Sequence, residues 1–117
     1  MQNFPTYVVG ANFRPSEARA LIKRLAIGDS LYLKREPGNP YDSNAVMVFA
    51  QDENEDRVHI GYVPKDDNPV IAQMLDEELE PTVEITSFAG TLKPAILIQF
   101  SEESTSDSEE ASADVGD

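Results

Sequence analysis

The run Arg35-Glu36-Pro37-Gly38-Asn39-Pro40-Tyr41-Asp42-Ser43-Asn44-Ala45-Val46 gathers residue types that recognise a ligand rather than transform it. A tyrosine ring can stack on a flat partner, and a carboxylate can accept a hydrogen bond from a hydroxyl or an amine. The two prolines preset their own φ and bias Glu36 and Asn39 toward extended backbone. Asp42 and the asparagines can bond back to nearby amides in Asx-type turns. The segment is longer and stiffer than a connection between two strands requires. It predicts a rigid loop that holds Tyr41 and Asp42 in a fixed place, where binding residues tend to lie. The plainer alternative is an ordered turn with a tyrosine lid over the core, and Asp42 capping it through the amide of Asn44.

Catalysis finds little support. His59 is the one histidine, and there is no cysteine, which excludes disulfides, thiolate zinc sites and cysteine nucleophiles. No GxSxG, P-loop or HExxH pattern occurs. The acidic runs 52–56 and 66–67 lack the spacing and glycine of an EF-hand and read as solvated loops. No cofactor, metal site or enzymatic activity is expected.

The elements that must position the loop are legible from periodicity. Tyr7 to Gly10 reads as a short strand. Pro15-Ser16-Glu17 opens a helix whose Ala18, Leu21, Ile22 and Leu25 share one face, with Gly28 as its stop. Residues 29–35 alternate, Leu31 and Leu33 on one side. Residues 45–50 are continuously apolar, as in a strand covered on both faces. A polar hairpin over 51–56 leads to a return strand at 57–63, with Val58, Ile60 and Tyr62 on one face. Asp66-Asp67-Asn68-Pro69 starts a second helix with an Asx cap, proline at its first position, and an apolar stripe of Val70, Ile71, Met74 and Leu75. Residues 82–86 and 95–100 are two more strands, with a turn near Phe88-Ala89-Gly90. Six strands and two short helices predict a mainly β fold, a small OB-like or SH3-like barrel over 1–100.

The segments VVGANFRP, GDSLYLKREPGNPYDSNAVMVF and HIGYVPKD, in that order, resemble the HIRAN family. The match runs from Tyr7 to Leu79. The resemblance implies an OB-like barrel whose pocket takes the 3′ end of single-stranded DNA. It implies that Tyr41 stacks on the terminal base and that Asp42 accepts a hydrogen bond from the 3′-hydroxyl. Asn39 would hold the nucleotide through polar contacts, and Phe13 would form the other side of the base slot. Tyr62 would border the nucleotide, and Lys65 would meet a phosphate. One departure is Asn12, where some eukaryotic members carry an arginine that assists DNA contact. Arg14 follows instead, and in a continuing strand it would point the other way, so weaker phosphate affinity is expected. Arg35 reads as a loop-bracing residue, with Glu36 and Asp42 nearby.

Charge sets limits on that reading. The net charge of −13 is unevenly spread: residues 1–35 carry six Lys/Arg against two acids, residues 36–100 three against thirteen, and residues 101–117 seven acids and no base. A general coating of nucleic acid is disfavoured, whereas capture of one particular end is not. Residues 101–117 are expected to be a disordered, solubilising tail. The resulting expectation is a non-catalytic, monomeric adaptor for single-stranded DNA 3′ ends, acting in repair, recombination or replication beside a helicase or nuclease partner. The alternative is a protein-interaction module or acidic DNA mimic on the same scaffold. No signal peptide or apolar run of about 20 residues is seen, so a cytoplasmic setting without a membrane partner is expected.

Overall fold

The computed structural model describes residues 2–101. In chain order its elements are β1 (Gln2–Tyr7), a 3-10 turn (Ala11–Phe13), α1 (Ser16–Ile22), β2 (Tyr32–Arg35), β3 (Val46–Gln51), β4 (Arg57–Tyr62), α2 (Asn68–Asp76), β5 (Pro81–Gly90) and β6 (Lys93–Phe100). The strands form two antiparallel sheets, ordered β1-β6-β5 and β2-β3-β4. In the first sheet Gln2 pairs with Phe100.

Two seams join the sheets. Val9 and Tyr62 exchange both backbone bonds at 2.9 Å, and Ser30 bridges Glu84, flanked by Leu31 N–H to Val83 O at 2.9 Å. The six strands therefore follow one another around a ring, each sheet edge meeting the other sheet. The mainly β reading with six strands and two helices holds. Inside the ring lies one core, from Val8, Ile22, Val46, Val48 and Ile60 to Ile71, Ile85, Ile96, Ile98 and Phe100. Burying such side chains is the main favourable term for a domain of this size.

Several elements differ from expectation for identifiable reasons. The first strand is Gln2–Tyr7 rather than 7–10; Pro5 lies within it, which an edge strand tolerates because its missing N–H is not needed. α1 ends at Ile22, where Arg24 N–H bonds Leu21 O and Leu25 N–H bonds Ile22 O in tight turns. Gly28 does not stop that helix. With φ +95° it turns the chain so that its N–H meets Ile85 O at 2.8 Å in the second seam. β3 is not covered on both faces, because Val46, Val48 and Ala50 are buried while Met47 and Phe49 are half-exposed. In α2, proline is the second helical residue, and Asp67 makes no cap bond through its side chain. Asp67 instead accepts the hydroxyl of buried Thr6 at 2.6 Å, tying β1 to the helix start. Val70 stays exposed, and Ala72 takes its place on the buried side. β5 continues to Gly90 through two register shifts, so Phe88 to Gly90 is strand, not turn.

One irregularity aims the site. The β3–β4 register steps from Val48↔Gly61 to Phe49↔His59, leaving Ile60 as the extra residue of a bulge. In a regular strand His59 and Tyr62 would face opposite ways. Across the bulge they share the outer face, their rings 4.9 Å apart at 80°. Tyr62 thus joins His59, not Ile60. Of the expected tail, residues 101–117, all but Ser101 lie outside the described residues. No described helix is long and apolar enough to cross a membrane.

Candidate nucleic-acid interface

The loop between β2 and β3 is pinned from its base upward. Glu36 N–H bonds Ala45 O at 3.0 Å across its neck, and Ala45 N–H bonds Asp42 O at 3.1 Å. Asn39 is the central brace: its Oδ1 accepts from the amides of Tyr41 (2.8 Å) and Asp42 (3.1 Å), and its Nδ2 donates to Glu36 Oε1 (2.9 Å). Asp42 Oδ1 accepts from the amide of Asn44 at 2.9 Å, the Asx turn its position suggests. Arg35 grips the far side, donating to Ala45 O (2.8 Å), Ser43 O (3.0 Å) and Asp76 Oδ1 (3.0 Å). It is a loop brace as expected, but its ion partner is Asp76 of α2, not Glu36 or Asp42.

This bracing leaves Tyr41 with a fixed backbone and a ring standing in solvent, the residue 89% exposed. Beside it opens a depression of about 540 Å³ lined by Tyr41, Asp42, Asn39, Tyr62, Lys65 and Asn68, among others. Five of the six candidate residues therefore meet at one place. Phe13 is not among the residues that line it; it stands 84% exposed on the 3-10 turn, four residues after Val9, which does line it. Because the chain enters that turn instead of continuing as a strand, Arg14 is directed toward β4, its Nε donating to His59 O at 3.1 Å.

The chemistry of the depression is that of fixed acceptors. Asp42 Oδ2 accepts from Asn68 Nδ2 at 2.8 Å, and this bond, then that from Asn44, holds the Asp42 carboxyl below its ordinary value. Glu36 is lowered first by Asn39 and then by Tyr62, whose hydroxyl donates to it at 2.8 Å. Tyr62 is raised, by burial first and then by that same Glu36 bond. Both acids are ionised at neutral pH. Each Asp42 oxygen keeps a lone pair beyond its present bond. Lys65 brings the one positive charge among the named lining residues, and its field further lowers Asp42. Among the described residues no three His, Cys, Asp or Glu side chains come together as a metal site.

Two contributors were not singled out from the sequence as site residues. Asn68 read only as a helix start, and nothing local signals that it reaches back to Asp42. Glu36 reads only as a residue before proline and a neighbour of Arg35; its spacing of three from Asn39 is the available signal.

A six-stranded ring carrying a braced, aromatic-bearing loop at the mouth of a depression defines a small β-barrel binding domain. A family model for the HIRAN domain matches residues 1–100, and the chain belongs to that family. HIRAN domains are in general DNA-binding, non-catalytic modules. The chain is 30% identical, over 95 residues and 80% of its length, to the Fanconi-associated nuclease 1 homolog of Arabidopsis thaliana; it spans 10% of that protein. Among solved structures, a protein from Lactobacillus plantarum superposes with a TM-score of 0.66 at 21% identity, over 83% of this chain and 97% of that one. The HIRAN domain of human HLTF superposes with a TM-score of 0.64 at 20% identity, over 84% of this chain and 74% of that one.

Proposed function

We propose that this chain binds single-stranded DNA by its 3′ end, with the terminal nucleotide in the depression beside Tyr41. Tyr41 stacks on the terminal base, a contact that tolerates any base and contributes about 1–3 kcal/mol. Asp42 accepts the 3′-hydroxyl proton on a free lone pair. A 3′-phosphate would bring negative charge against Asp42 and Glu36, and an internal nucleotide has no free hydroxyl to donate. Tyr62 borders the nucleotide and Lys65 meets a phosphate. Asn39 contributes by holding Tyr41, Asp42 and Glu36, and by a side-chain bond to Tyr62, and Phe13 contributes from outside the depression. The observation that carries the proposal is the pairing of an ionised carboxylate, anchored on both oxygens, with an exposed ring on a pinned backbone at the same opening. The chain acts as a non-catalytic adaptor in repair, recombination or replication beside a nuclease or helicase partner; the nuclease named among its relatives supports the first of these.

The test is fluorescence anisotropy at low salt with labelled single strands ending in 3′-hydroxyl or 3′-phosphate, and a blunt duplex, against wild type and Asp42→Ala. Preference for the free hydroxyl, weakened in Asp42→Ala, supports the proposal. Equal binding of all three, or of both proteins, sinks it. A second reading rests on the charge of the opening, where Glu36 and Asp42 face Lys65: an ammonium group of a basic protein would also satisfy it. Absence of DNA binding would favour that partner.

A further inference from the structure

The outer face of the β2-β3-β4 sheet adjoins the depression and has been given no role. Register places Tyr32, Phe49 and His59 in one row across the three strands, and Lys34, Met47 and Tyr62 in the next. The bulge at Ile60 lets both rows end on the same face of β4. Three of the rings are in contact: Phe49 and His59 lie 5.2 Å apart, tilted by 31°, and His59 meets Tyr62 edge-on. At the far end the Arg57 guanidinium lies over the Tyr32 ring, 3.8 Å from its centre. Tyr32, Phe49, His59 and Tyr62 are all half-exposed. Lys34 and Arg57 are exposed, and neither has an ion pair among the described residues.

A face of contacting rings flanked by unpaired cations suits an unpaired polynucleotide, whose bases need stacking partners and whose phosphates need positive charge. It is continuous with the candidate pocket through Tyr62, which belongs to both. Resting on the reading of the pocket given above, we infer that this sheet face carries the DNA strand 5′ to the captured end. The strand leaves the depression over Tyr62, crosses β3 and ends near Tyr32 and Arg57. Glu80, which lines the groove beyond those two residues, opposes further phosphates. The charge asymmetry of the chain then has a local meaning: an acidic protein keeps an exposed lysine and arginine on the one sheet face next to its pocket.

The experiment measures anisotropy for oligothymidylates of two, four and six nucleotides, each with a free 3′-hydroxyl. The proteins are wild type, Lys34→Gln/Arg57→Gln and Asp42→Ala. Both altered positions of the double variant are exposed, so it keeps the fold. In wild type, affinity rises about fivefold or more from the dinucleotide to the hexanucleotide. In the double variant the dinucleotide binds as in wild type, the gain with length is mostly lost, and the salt slope for the hexanucleotide flattens by about one. Equal wild-type affinity for all lengths would overturn the inference, as would a gain with length that survives in the double variant. Dinucleotide binding that is insensitive to Asp42→Ala would instead overturn the reading of the pocket while leaving the face intact. Absence of binding at every length would overturn both.

Discussion

Asn68 Nδ2 donates to Asp42 Oδ2 at 2.8 Å, joining the first turn of α2 to a loop 26 residues earlier in the chain. At the other end of the same helix, Asp76 holds Arg35, which holds Ser43 and Ala45. The loop is therefore clamped to α2 at two points. Replacement Asn68→Ala should free the Asp42 carboxylate to rotate. The Asp42 pKa should rise toward its ordinary value, readable by carboxyl NMR, and the preference for 3′-hydroxyl over 3′-phosphate should shrink. The melting temperature should fall by about 4–8 °C. The fall is partly offset because Asn68 Oδ1 is buried without a hydrogen-bond partner, and removing it relieves a desolvated acceptor.

Tyr41→Ala separates binding from folding. The ring is 89% exposed and its backbone is held by Asn39, so the melting temperature should not move. Affinity for a single strand should drop by about 5- to 150-fold, the range set by 1–3 kcal/mol of lost stacking. Unchanged affinity would remove Tyr41 from the site.

Arg35→Lys should cost about 2 kcal/mol in chemical denaturation. A lysine cannot reproduce a fork that serves two carbonyls and a carboxylate at once. The amide of Ala45, now less well held, should exchange with solvent faster.

Gly61 sits at the first seam, where an added Cβ would lie 2.6 Å from both Val8 Cγ1 and Val9 O. Gly61→Ala should destabilise by about 1–3 kcal/mol, because backbone on one side cannot give way. Hydrogen exchange should show the amides of Val9 and Tyr62 opening first.

Acid should weaken the fold in two stages. Burial lowers the His59 pKa, with Arg14 adding to the effect. Below its unperturbed 6.5 the unfolded chain takes up a proton that the folded chain refuses, so stability declines as pH falls through that range. Glu36 and Asp42 are also lowered, from 4.5 and 3.8, so their contributions are present above those values and are lost as pH falls below them. His59→Gln should abolish the first stage and leave the second. Denaturant midpoints across pH 3–8 would reveal either pattern.

The parts of this molecule that are written locally could be read without a structure. The prolines and asparagines around Tyr41 announce a rigid loop, and Ala18, Leu21 and Ile22 announce the buried side of α1. What stayed hidden depends on partners far along the chain. Thr6 draws Asp67 away from capping its own helix, and Gly28 looks like a helix stop until Ile85 is seen opposite it. Tyr62 reads from sequence as sharing the face of Ile60, because a bulge is a property of pairing, and no feature of residues 57–62 alone requires it. Asn68 escaped for the same reason: its amide is spent on a loop that sequence distance separates from it.

The pairing of Gln2 with Phe100 brings the two ends of the barrel onto neighbouring strands, about 5 Å apart. A unit whose entrance and exit share one doorway can be spliced into a loop of a larger protein, or set between two modules, without prising apart either host or guest. Such a cassette carries its site with it, the loop and depression held by contacts that lie within the unit.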